Sequence, residues 1–115
     1  MIVADDDPLI RMVMRRALSR RGFTVVEAVD GTSAVSAAVR HPVDLLITDA
    51  NMPGMPLHET LKAFELLDDA PAILVISGDS ASRMPPGVPF LAKPIELDPF
   101  LDEVDRLLEQ RGAAP

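Results

Sequence analysis

Apolar residues along this chain fall into two spacings, short compact runs and helix-like faces, and the two alternate from one end to the other. Met1–Ala4, Val43–Thr48 and Ala72–Ile76 are short, mostly apolar runs, the pattern of strands covered on both faces. Phe23–Ala28 is apolar and β-branched and predicts a second strand, and Val88–Ala92 predicts a fifth. Between them the period changes. Ile10, Val13, Met14, Ala17 and Leu18 mark one face of a helix over Pro8–Arg21. Asp7-Pro8 starts it, as N-cap acceptor and first-turn proline. Arg20-Arg21-Gly22 stops it, with cations at the negative end of the helix dipole and then a C′ glycine. After a turn at Asp30-Gly31-Thr32, Ser33–Arg40 is an Ala/Val-rich helix ended by His41-Pro42. Leu57, Thr60, Leu61, Phe64 and Leu67 give a third helical face, broken at Asp68-Asp69-Ala70-Pro71. The last helix carries Leu97, Phe100, Leu101, Val104, Leu107 and Leu108, and a frayed tail begins at Gly112.

The stretch Ser77–Gly87 breaks the rhythm. Pro85, Pro86 and Gly87 cannot extend a helix, so only Ser80–Met84, roughly one turn, is open to one. Pro89 has no N–H for a sheet ladder, which puts the fifth strand at an edge. Strands alternating with helices imply βαβ units, a parallel sheet and helices on both of its faces. No internal repeat, low-complexity segment or linker divides the 115 residues, which suit one domain. The chain opens directly in a strand, so residues upstream are expected to have been trimmed.

Composition narrows the class. Hydrophobic residues make up 48% and aromatics only 3%, so the core is aliphatic. No run approaches the ~20 apolar residues of a membrane span, and no basic region precedes the first apolar stretch, as a secretory signal would require. The absence of Cys removes disulfides and thiolate metal sites and fits a reducing compartment. A net charge of −7 argues against direct nucleic-acid binding.

The acidic residues carry the chemistry. Asp5, Asp6 and Asp7 follow the first strand, Asp49 follows the third and Lys93 closes the fifth. In an open parallel sheet the carboxyl ends of the strands share one edge, where ligands bind. Carboxylates gathered there repel unless a cation or a proton neutralises them. Mg²⁺ wants oxygen ligands from one or two carboxylates, a carbonyl and waters, and Asp6, Asp49 and the Asn51 carbonyl would supply them. Pro53-Gly54 sets the turn that aims that carbonyl inward. The Ser77 hydroxyl after the fourth strand suits an anion held at Asp49, Gly78 permits close approach, and Lys93 suits phosphoryl oxygens. Each residue alone also has an ordinary reading. Asp7 is a helix cap, Ser77 a cap, Lys93 a surface ion-pair partner, and Phe90 a core residue. His41 and His58 lie away from the strand ends and are assigned to no metal.

Asp5-Asp6, Asp49, Ser77 and Lys93-Pro94, each at the end of a successive strand, make the chain resemble the bacterial response-regulator receiver domain. The likeness covers essentially the whole chain, 1–112 as the receiver and 113–115 as a tail. It implies an α/β, flavodoxin-like (βα)₅ three-layer sandwich with sheet order 2-1-3-4-5; the chemotaxis receiver is a standard example of that order. It implies that Asp49 accepts a phosphoryl group from a histidine kinase or a histidine phosphotransfer protein. Asp5, Asp6, Asp49 and Asn51 would hold Mg²⁺, Lys93 would contact a phosphoryl oxygen, and Ser77 with Phe90 would act as the switch. Asn51 and Asp79 match positions that tune autodephosphorylation. Such a protein is cytoplasmic. It is not an enzyme in the ordinary sense but undergoes Mg²⁺-dependent self-phosphorylation, either free-standing or as part of a hybrid histidine kinase.

Two features depart from the family pattern. The loop after the acceptor runs Pro53-Gly54-Met55-Pro56-Leu57 where the family has Pro-Gly-Met-Asp-Gly, which alters the entry to the third helix. The helix between the fourth and fifth strands is expected to be shortened or missing, which leaves the dimerisation mode open. The main alternative is a pseudo-receiver that docks partners without phosphorylation. An aspartate-nucleophile phosphohydrolase would want a second acid where Asn51 stands. A flavodoxin-like cofactor binder would want a glycine- or hydroxyl-rich loop where Asp5–Asp7 stand.

Overall fold

The computed structural model describes residues 1–78 and 85–111. The elements are β1 (Ile2–Ala4), α1 (Pro8–Arg20), β2 (Val26–Ala28), α2 (Gly31–Arg40), β3 (Leu45–Asp49), α3 (Leu57–Glu65), β4 (Ala72–Ser77), β5 (Phe90–Ala92) and α4 (Leu97–Gln110). The strands form one parallel sheet in the order β2-β1-β3-β4-β5. The order reverses direction beside β1, the switch point at which such sheets open a crevice.

Strand alternation sends the apolar side chains to two faces. Val3, Leu45, Ile47, Leu74 and Ile76 pack with Met14 and Leu18 of α1 and with Phe100, Val104 and Leu107 of α4. Ile2, Ala4, Ala28 and Leu46 pack on the other face with Ala34 of α2 and Phe64 of α3. The result has the parallel sheet and the helices on both faces expected from the alternation of periods, and it is the three-layer flavodoxin-like sandwich that the resemblance implies. β5 lies at the edge of the sheet, as expected. Pro89 stays just outside the strand and offers only its carbonyl, which accepts from the Val75 N–H at 3.0 Å.

Several boundaries shift for local reasons. α2 begins at Gly31 rather than Ser33, because Asp30 is not a turn residue but an N-cap. Its carboxylate accepts from the Ser33 N–H at 2.7 Å while the Ser33 hydroxyl serves the Asp30 backbone, a capping box. Gly31 is buried there, where a side chain would collide with Thr60 Oγ1. β2 is shortened to Val26–Ala28, although Phe23 and Val25 still pack on the core. β3 and β4 each run one residue further than the apolar pattern, so Asp49 and Ser77 are last strand residues rather than first loop residues. α3 stops at Glu65 and leaves Leu66 exposed. Val13, counted in the apolar face of α1, is 39% exposed. Gly22 ends α1 at φ +88° as its stop signal predicts.

Residues 79–84, the main part of the segment in which a shortened or missing helix is expected, lie outside the described residues, as does the tail from Gly112. Of that segment Pro86-Gly87 form a turn, with Gly87 at φ +80°.

Candidate functional site

The carboxyl ends of the five parallel strands lie along one rim. Backbone bonds tie them together beyond the ladders: the Asp5 N–H donates to the Ala28 carbonyl at 3.1 Å, Ala50 to Ile76 at 2.8 Å, and Lys93 to Ser77 at 2.8 Å. Every strand end that carries a polar side chain is therefore held by its neighbour.

Asp5 and Asp49 are buried at this rim, and Asp6 is exposed beside them. One carboxylate oxygen from each of the three lies within 4.8 Å of the others. Asp7 is not part of the group. It caps α1, accepting from the Leu9 N–H at 2.9 Å. Its own N–H donates to Asp5 Oδ1 at 2.8 Å, which fixes that carboxylate. Asp5 Oδ2 is buried and makes no hydrogen bond among the described residues. Its nearest cation is Lys93 Nζ, an ion pair at 3.5 Å, and the same ammonium stands 3.3 Å from Asp49 Oδ2. Asp49 Oδ1 accepts from the Asn51 N–H at 3.2 Å.

These surroundings shift the titration of both partners. Burial pushes the Asp49 carboxyl above the ordinary carboxylate value, and Asp5 adds to the push, against the Asn51 N–H and Lys93. Burial works against the charge on Lys93, but Asp49 and Asp5 together outweigh it and hold the ammonium above its ordinary value. Two buried carboxylates share a single ammonium, and the exposed carboxylate of Asp6 stands beside them. A buried oxygen that has an ion pair at 3.5 Å but no hydrogen bond, facing that excess of negative charge, fits a hard divalent cation such as Mg²⁺.

Ser77 is fully buried at the end of β4, in register with Ala92 of β5, one residue before Lys93. Asn51 is exposed in the loop after β3. Phe90 opens β5 opposite Val75 and is partly exposed. Asp79 lies outside the described residues. His41 and His58 are exposed and stand outside the acidic group.

The sequence pattern of the response regulator receiver domain matches residues 1–105. The chain belongs to the receiver family. Its curated relatives include the transcriptional regulatory protein KdpE of Mycobacterium tuberculosis, 30% identical over 98% of this receiver and 52% of KdpE. The sensor protein EvgS of Escherichia coli is 32% identical over 99% of this receiver and 10% of EvgS. This receiver thus spans about half of the regulator and a small part of the sensor. Among solved structures, the receiver domain of the hybrid histidine kinase CckA superposes with a TM-score of 0.81 at 33% identity, covering 93% of this chain and 96% of that one. The chemotaxis response regulator CheY4 of Vibrio cholerae gives 0.84 at 26% identity, covering 92% and 95%.

One participant in the rim escaped the sequence reading. Arg11 of α1 donates through Nη1 to the Asp5 carbonyl at 2.7 Å and through Nε to Glu27 Oε1 at 2.9 Å. The available signal was Glu27, a single carboxylate in an otherwise apolar strand.

Proposed function

We propose that this receiver accepts a phosphoryl group on Asp49 from a phosphohistidine of a histidine kinase or phosphotransfer protein, and that the modified rim alters the surface read by a partner. The observation that carries this reading is the joint placement of Asp5, Asp6, Asp49 and Lys93 at one sheet edge, with a buried carboxylate oxygen that makes no hydrogen bond among the described residues. Asp49 is the nucleophile. Its carboxylate forms a bond to phosphorus as the bond from phosphorus to the donor imidazole breaks, and the electron pair leaves with the imidazole nitrogen. Charge spreads over the equatorial phosphoryl oxygens in the transition state. Asp5, Asp6, Asp49 and the Asn51 carbonyl would hold Mg²⁺, which would supply positive charge against those oxygens. Lys93, already within 3.3 Å of Asp49, transfers its contact to a phosphoryl oxygen. The Ser77 hydroxyl donates to another, and Phe90 follows the shift of β4 and β5. Asn51 and Asp79, which match the family positions that tune autodephosphorylation, set the lifetime of the acyl phosphate. Such chemistry belongs in the cytoplasm, and among the described residues no helix is long and apolar enough to cross a membrane.

The test is incubation with Mg²⁺ and a small phosphodonor, followed by intact-mass analysis of the wild type and Asp49→Asn. A single phosphoryl gain confined to the wild type supports the proposal. An unmodified wild type under conditions that load another receiver would instead make this a pseudo-receiver that docks partners without phosphorylation.

A further inference from the structure

Asp5 and Asp6 sit on a peptide that is held from outside the acidic group. The Asp5 N–H is taken by the Ala28 carbonyl of β2 at 3.1 Å, and the carbonyl of the same residue is taken by Arg11 Nη1 at 2.7 Å. That carbonyl belongs to the peptide joining Asp5 to Asp6, so its orientation sets the direction of both side chains. Arg11 is itself fixed. Its side chain is only 17% exposed, and its Nε is bonded to Glu27 Oε1 at 2.9 Å. Arg15, one turn further along α1, pairs with the other Glu27 oxygen at 3.2 Å but makes no contact with Asp5 among those described. A planar guanidinium serves two acceptors at once in a fixed fork, which a lysine ammonium does not reproduce.

We propose that Arg11, anchored by Glu27, is a positioning residue for the cation pocket, holding the Asp5–Asp6 peptide so that Asp5 Oδ2 and the Asp6 carboxylate converge on a divalent ion. The inference rests on the Mg²⁺ site in the proposed function and extends it to two residues outside the acidic group. Outer partners that orient metal ligands typically account for 10–100-fold in affinity. Arg11 acts through the backbone rather than on a ligand side chain, so the lower end, about tenfold, is expected.

The experiment is a calorimetric titration of MgCl₂ into the wild type, Arg11→Gln, Arg11→Lys, Glu27→Gln and Arg15→Gln, with thermal unfolding of each in chelator. The chain has no Trp, so calorimetry replaces intrinsic fluorescence. Arg11→Gln is expected to weaken Mg²⁺ about tenfold, with Arg11→Lys and Glu27→Gln between it and the wild type. Arg15→Gln, which breaks a comparable ion pair without touching Asp5, is expected to keep wild-type affinity. An Arg11→Gln protein that melts earlier but binds Mg²⁺ as tightly as the wild type would assign Arg11 a purely structural role and overturn the inference. Should Arg11→Gln fail to fold, Arg11→Lys and Glu27→Gln decide by the same comparison against Arg15→Gln. A wild type with no Mg²⁺ affinity would overturn the proposed function itself, and this inference with it.

Discussion

Lys93 Nζ stands 3.3 Å from Asp49 Oδ2. The contact joins the last residue of β3 to the residue just beyond β5, across β4. It is also shared, because the same ammonium faces buried Asp5 at 3.5 Å. One cation thus balances two buried anions incompletely, and the imbalance makes the rim responsive to added charge.

The raised pKa of Asp49 has a direct consequence for stability. Burial is its main cause, with Asp5 adding to it. A carboxyl whose folded pKa is raised contributes stability that is complete below the unfolded value, 3.8, and lost as pH rises through the folded value. At neutral pH the ionised Asp49 therefore works against the fold. Asp49→Asn is expected to raise the metal-free melting midpoint at pH 7 by a few degrees, as about 1 kcal/mol does in a domain of this size. The advantage vanishes below pH 3.8, where Asp49 is protonated in both states. Melting curves across a pH series without Mg²⁺ check this, and a less stable Asn variant at pH 7 contradicts it.

Mg²⁺ is expected to stabilise the receiver by mass action, by about 2.7 kcal/mol at one hundred times its dissociation constant. Asp6 is exposed, so Asp6→Ala should stay within about 0.5 kcal/mol of the wild type in chelator. The same variant should lose most of the Mg²⁺-dependent rise in midpoint. A full rise in the variant would remove Asp6 from the ligand set.

Two helix starts differ in chemistry and should respond in opposite directions. Asp7 caps α1 through the Leu9 N–H, and Asp7→Ala should cost about 1 kcal/mol in urea denaturation. Pro56 occupies the N-cap of α3 in an extended conformation, φ −62° and ψ 154°, with no side-chain acceptor. Pro56→Asp should gain up to about 1 kcal/mol, with the lost rigidity of proline subtracting part of it. A neutral or destabilising result would mean that Pro56 stiffens the acceptor loop by more than a cap contributes.

Gly31 marks where α2 meets α3. A methyl group there would fall well inside contact with Thr60 Oγ1 and lie 3.2 Å from Met55 Cβ. Gly31→Ala should cost about 1–3 kcal/mol. Thr60→Ala should recover part of that cost, a coupling that a double-mutant cycle measures directly. Independent, additive effects would show that the two helices move apart instead.

The periodicity of Ile10, Met14, Ala17 and Leu18 was enough to find α1, because Asp7-Pro8 and Gly22 are local signals that act within a turn. The start of α2 was missed for a comparable local reason: Asp30-Gly31 reads as a turn until the Ser33 hydroxyl is seen returning to the Asp30 backbone. The apolar pattern ends β3 and β4 one residue short because Asp49 and Ser77 are polar, and only the neighbouring strands supply ladder partners that carry them into the sheet. Arg11 was invisible for a different reason. Its two partners are a backbone carbonyl six residues away and a carboxylate on another strand, and no spacing rule links them.

The amino-acid order by itself determined the alternation of strands and helices and the set of strand ends bearing Asp5, Asp6, Asp49, Ser77 and Lys93, because these follow from short-range sterics and hydrophobic period. Packing decided the rest. Which carboxylates share Lys93, which oxygen of Asp5 is left without a hydrogen bond, and that Arg11 and Glu27 hold the peptide beneath the acidic rim depend on distances between segments far apart in the chain. Those distances exist only once β1, β3 and β5 are brought to a common edge.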